Sequence, residues 1–151
     1  VDAVPAHLLP DRAEGRELEL VSADGTRLGR GIAFPPRVGA DGRVAFSTGE
    51  ENVRECIEVV LRTEQRERIR LPEFGAGLGR FLFEPNTTTT RRALQDRIQK
   101  ALASWEPRVV VQSVAIDEDP ADPEAATAVV TYRLVATQAV ERVSLTVRLG
   151  S

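Results

Sequence analysis

Cysteine, histidine, lysine, tryptophan and tyrosine each occur once in this 151-residue sequence, and these scarcities remove whole classes of chemistry. A lone Cys56 forbids an intrachain disulfide, which suits a reducing compartment without requiring one. One cysteine and one histidine cannot build a zinc site of the usual ligand type, and no metal or cofactor is expected. Aromatic residues make up 5% of the chain, too few to line a sugar-binding cleft. No apolar run approaches the ~18–20 residues that span a bilayer, so direct membrane insertion is not expected. The formal net charge is −3, so no bulk field draws the chain to nucleic acid or to a membrane surface. Lys100 is the one lysine among 20 basic residues. Arginine's dominance fits a GC-rich genome and heat tolerance alike.

The remaining composition, 42% hydrophobic, suffices for one core. The domain is read as residues 17–151, behind an N-terminal arm at 1–16 that has two prolines and no hydrophobic period. Such an arm is expected to be disordered alone or ordered only against a partner.

The chain is organised around Arg68–Arg108. Within it Leu94, Ile98, Ala101, Leu102 and Trp105 form one apolar stripe at helical period. Pro85 blocks backward extension, Thr87–Thr90 offer capping hydroxyls, and Pro107 ends the helix. An earlier helix starts near Ser47-Thr48-Gly49-Glu50-Glu51, where Ser47 with Glu50, or Thr48 with Glu51, has capping-box spacing. It runs to about Thr63, with Val53, Cys56, Ile57, Val60 and Leu61 inward. Glu51, Arg54, Glu55, Glu58 and Arg62 are assigned to water.

Upstream, 17–21 alternates, Asp24-Gly25 is a hairpin-turn dipeptide and Arg27–Phe34 is the return strand. A second turn, Gly39-Ala40-Asp41-Gly42, separates residues 35–38 from 43–46. Downstream the period switches to two. Strands at Val109–Ile116, Ala125–Ala136 and Val143–Leu149 make an antiparallel meander, with an acidic loop at Asp117–Glu124. The fold class is α+β: two main helices on a β-meander, with an N-terminal hairpin region.

Candidate chemistry is sparse. His7 sits in the arm, where nothing orients an imidazole for catalysis. Cys56 lies on an apolar stripe and reads as a small buried thiol. Residues 117–124 lack the spacing of a calcium loop. Gly75-Ala76-Gly77-Leu78-Gly79 lacks the Gly-Lys-Ser/Thr of a phosphate loop, so its glycines serve a tight turn or close packing. Glu50, Glu51, Glu73 and Glu84 are the acids available to a glycan hydrolase, but capping explains the first two. Arg91, Arg92, Arg97 and Lys100 form a basic helix face, interrupted by Asp96 and without a stacking platform, so protein contact or solvent is favoured over nucleic acid.

From about Gly42 onward the sequence resembles the gene-25-like/W-protein family of contractile-tail baseplate wedge proteins, whose members include those of type VI secretion and extracellular contractile injection systems. The resemblance rests on residues 49–57, on Glu67-Arg68, on Arg70–Leu78, on Phe83-Glu84-Pro85-Asn86 and on Trp105-Glu106-Pro107-Arg108-Val109, in that order. Upstream, Gly31–Pro35 also fits. The resemblance implies a structural subunit with no enzymatic activity, assembled in the cytoplasm into a baseplate and then part of a tail or injection particle. Its implied partners are larger wedge proteins and the sheath subunit, with spike, hub or tube-adjacent proteins as further candidates, and no nucleic acid. It implies templating of the first sheath ring by strand exchange. The expected partner-binding residues are Phe81, Phe83, Glu84, Glu106, Pro107, Arg108, Val143, Leu145 and Val147. Arg108 is suited to a bidentate carboxylate contact, either inside the domain or on a neighbour. One of Phe81 and Phe83 is expected in the core. Arg108→Ala is expected to spare the isolated fold and impair assembly.

Overall fold

The computed structural model describes residues 27–150; the arm at 1–16 and the expected strand at 17–21 with its Asp24-Gly25 turn lie outside them. In chain order come strands β1 (Arg30–Ile32) and β2 (Phe46–Thr48), helix α1 (Gly49–Arg62), a 3-10 helix (Leu78–Phe83) and helix α2 (Thr88–Trp105). Strands β3 (Val109–Asp119), β4 (Asp122–Leu134) and β5 (Val140–Arg148) follow. They pair in the order β3-β4-β5 as an antiparallel meander, while β1 and β2 form a separate two-stranded ribbon. The fold is α+β.

The core is where two periodicities meet. Ala126, Ala128, Val130, Tyr132 and Leu134 alternate along β4 and are buried. Against them lie Val53, Ile57, Val60 and Leu61 of α1 and Leu94, Ile98, Ala101 and Leu102 of α2, in one continuous cluster. Period two in the strand and 3.6 in the helices turn one face of each element inward. Trp105 is half-buried, its ring 5.2 Å from that of Phe74.

The two helix starts differ. At α2 the threonine block caps as expected: Thr90 N–H donates to Thr87 Oγ1 at 3.2 Å. At α1 neither capping box forms, because Thr48 makes no side-chain cap bond. Ser47 is buried in β2, and its hydroxyl instead accepts from Asn52 Nδ2 at 3.1 Å. The end of α1 shows what the glycine run is for. Ala76 N–H donates to the Val60 carbonyl at 2.8 Å and Gly77 N–H to the Thr63 carbonyl at 3.1 Å. These satisfy acceptors that a helix C-terminus leaves open. The approach needs glycine at 75: φ is +102°, and a Cβ there would lie 2.3 Å from the Thr63 carbonyl oxygen.

Several expectations are corrected. The stretch 117–124 is not a loop: β3 continues to Asp119 and β4 begins at Asp122, so only Pro120-Ala121 turns the chain. Its acids are carried on a long hairpin ladder, and Glu118 is held by Arg91 at 2.7 Å. Arg27–Phe34 is a strand only at Arg30–Ile32; Arg27 and Leu28 are helical. Cys56 is half-buried rather than fully inward. Glu55, assigned to water, is buried, and its Oε1 accepts from Arg37 at 3.3 Å. A helical wheel cannot show that the irregular segment around Arg37 folds over that face. The Glu58–Arg62 pair forms at 3.7 Å.

Candidate partner-binding site

Where α2 hands over to β3, Pro107 denies the helix another turn and Glu106 and Arg108 face one another. Glu106 closes α2, its N–H donating to the Leu102 carbonyl at 2.9 Å. Its carboxylate is 3% exposed and receives Arg108 Nε at 2.6 Å and Nη2 at 2.5 Å, a bidentate pair. Arg108 Nη1 donates to the Leu28 carbonyl at 2.7 Å and to Asn52 Oδ1 at 3.1 Å. The Arg108 carbonyl accepts from Val135 N–H at 2.9 Å, seating the end of β4. One guanidinium thus ties together the α2–β3 corner, α1 and the segment before β1. Its bonds to Glu106 hold the guanidinium proton even more firmly than an ordinary arginine does, outweighing the opposing cost of burial.

The carboxylate partner of Arg108 is therefore inside the domain. The bidentate bond to a buried carboxylate argues that Arg108→Ala would instead cost the isolated fold stability, because truncation strands that carboxylate. The arginine side chain remains 30% exposed and Pro107 is exposed beside it, so the corner still presents a surface.

The other expected site residues fall into distinct settings. Phe81 is in the core at 5% exposed, whereas Phe83 stands out at 87%. Glu84 is exposed, and its carbonyl accepts from Gly150 N–H at 2.8 Å beside the Pro85–Gly150 bridge. Val143 and Val147 bury their side chains in the core, with Leu145 partly buried against it. The other face of β5 carries Val140, Arg142, Ser144, Thr146 and Arg148, all exposed. The structure does not bring these residues into one patch with Arg108. Two residues that sequence reasoning passed over, Asn52 and Leu28, complete the Arg108 site. Asn52 carried a signal: a polar residue beside Val53 on the buried stripe. Leu28 contributes only its carbonyl and carried none.

A second polar cluster braces the meander. Arg54 donates to Glu141 Oε2 at 3.2 Å. Burial pushes the Tyr132 phenol above its ordinary range, opposed by the neighbouring Arg54 guanidinium. Arg54 is raised as well: burial pulls it down, but the neighbouring Tyr132 and Glu141 outweigh that. Glu50, Glu51, Glu73 and Glu84 all lie at the surface, unlike the apolar pocket that makes a carboxyl a general acid. Among the described residues no His/Cys/Asp/Glu cluster is placed to hold a metal ion. No described helix is long and apolar enough to cross a membrane.

Residues 47–139, from the end of β2 to the edge of β5, match the family of the baseplate wedge protein gp25. The chain belongs to that family. Among solved structures this gp25-family chain is similar to a candidate tail lysozyme of Geobacter sulfurreducens (28% identity, TM-score 0.64), covering 70% of this chain and 95% of the other. It is also similar to a chain of the anti-feeding prophage baseplate (27% identity, TM-score 0.61), covering 82% and 88%. A fainter similarity, 14% identity with TM-score 0.48 over 63% and 88%, is to a chain of the type VI secretion system baseplate complex. No curated protein sequence matches. The gp25-family match spans both helices and most of the meander, and so includes Glu106-Pro107-Arg108 and the bonds of Arg108 to Glu106 and Asn52.

Proposed function

We propose that this gp25-family chain is a non-enzymatic wedge subunit of a phage-tail-like contractile baseplate, joining larger wedge proteins and templating the first sheath ring by strand addition. Family membership supports the baseplate role. The observation that carries strand addition is the open outer edge of the meander. Ten of the eleven residues of β3 pair with β4, the register slipping at Gln112, and β3 pairs with no other described strand. Edge N–H and C=O groups are a template for another chain's strand, giving affinity through the main chain while tolerating sequence drift. Assembly in the cytoplasm, before incorporation into a tail or injection particle, belongs to the same proposal.

The test is co-expression of a tagged chain with the baseplate and sheath genes, followed by negative-stain imaging and hydrogen exchange. Recovery with large wedge proteins or sheathed particles is expected, with slower exchange along β3 in the assembly. A lone monomer from cells shown to make particles would refute the proposal. The lysozyme designation of one structural neighbour motivates the second reading, a glycan hydrolase. Peptidoglycan release by the purified chain, abolished by a Glu-to-Gln change, would favour it.

A further inference from the structure

A groove of about 270 Å3 between the 3-10 helix and α2 is lined by Arg80, Phe81, Ala93, Asp96, Arg97 and Lys100. Arg80 lies over the Phe81 ring, 5.4 Å from its centroid. Arg97 is anchored through Nε, which donates to the Ala76 carbonyl at 2.6 Å. Its two terminal nitrogens have no hydrogen-bond partner among the described residues. Arg80, Arg97 and Lys100 form no ion pair with any described carboxylate, although Asp96 sits in the same groove. The basic face read from the sequence has thus been divided. Arg91 turns away to Glu118 and Asn86, while Arg97 and Lys100 are joined by Arg80 from another element.

Three gathered cations against one acid leave a local excess of +2 on a chain of net charge −3. Like charges held together in a groove raise the local concentration of an anionic partner. We propose that this groove docks an acidic segment of another baseplate protein, with two carboxylates set among Arg80, Arg97 and Lys100 and an aliphatic side chain over Ala93. The inference rests on the wedge reading above. A short acidic segment is favoured over a nucleic acid by two observations. The one aromatic ring is buried and offers no face for base stacking. The groove holds a few side chains rather than a backbone track.

The sequence supplies its own probe, because Lys100 is the only lysine. Carbodiimide treatment of the co-purified assembly condenses an amine with a touching carboxylate, joining them by an amide. The expected product links Lys100 to an aspartate or glutamate of a baseplate partner, located by mass spectrometry. Lys100→Arg should abolish the link and retain co-purification. Arg80→Glu with Lys100→Glu, both surface positions, should keep the melting temperature and weaken partner recovery about tenfold. A chain that co-purifies with wedge proteins while Lys100 stays fully reactive to amine acylation, and whose double variant assembles normally, would overturn the groove and leave the wedge reading standing. A lone monomer from particle-making cells would overturn both. Loss of a bound DNA oligonucleotide in the double variant, with protein recovery unchanged, would replace the acidic segment with nucleic acid.

Discussion

Arg108→Ala tests whether the α2–β3 corner is held from within. The substitution removes both bonds to the Glu106 carboxylate, which is 3% exposed, and those to the Leu28 carbonyl and Asn52. Breaking a buried ion pair by deleting one partner costs about 3–5 kcal/mol, chiefly because the remaining charge has no counterion. Arg108 keeps 30% exposure, so water partly solvates the gap and the low end, about 3 kcal/mol, is expected. For a chain of this length that is a melting-temperature fall of about 6–12 °C. Urea unfolding followed by the fluorescence of Trp105, the only tryptophan, would measure it. A cycle with Glu106→Gln separates charge from packing. The double variant should regain about 1–2 kcal/mol over Arg108→Ala, because no carboxylate is left stranded. Stability of Arg108→Ala within about 0.5 kcal/mol of the parent would refute the reasoning, since that is the range of surface changes.

Three further outcomes are expected. Gly75→Ala should cost about 3 kcal/mol or more, because a Cβ 2.3 Å from the Thr63 carbonyl oxygen adds a clash to a positive φ. Gly42→Ala, with φ +75° and nothing within 4 Å, should cost only about 1 kcal/mol; equal thermal shifts for the two would contradict the close approach. Tyr132 is the only tyrosine, so ultraviolet absorbance titrates it alone, and its folded midpoint should lie above 10.0. Its raised value means the unfolded chain releases that proton first. Stability is therefore complete below pH ~10 and falls as the pH rises beyond it. Tyr132→Phe should flatten that fall, and a folded midpoint at or below 10.0 would contradict the burial argument. Phe83→Ser should leave the melt within about 0.5 kcal/mol, given 87% exposure, while weakening recovery of wedge partners. A melt lowered by several degrees would make Phe83 a packing residue instead.

What was legible in the sequence was what is local. The stripe of α2, its threonine cap and its proline stop lie within about twenty residues, and the physics that fixes them acts over one or two helical turns. The alternation after Pro107 foretold three strands for the same reason. What failed was decided by distant segments. Ser47 could not cap α1 because β1–β2 pairing had already buried it against Asn52. Glu55 left the solvent because Arg37, eighteen positions earlier, covers it. The acids at 117–119 look like a loop by propensity, but the ladder to β4 overrides that preference. The Arg108 site shows the boundary most clearly. Its carboxylate two residues away could be guessed, and was one of two open readings. Its bonds to residues 56 and 80 positions away could not. A partner-binding reading of such a motif has to begin from what the guanidinium already holds. The bonds within the domain rigidify the corner, and a rigid corner presents Pro107 and the exposed part of Arg108 at little further cost in conformational entropy. On the proposed wedge reading, stability and assembly would be successive uses of one ion pair. They are separable by a variant that keeps the pair and alters only the exposed rim.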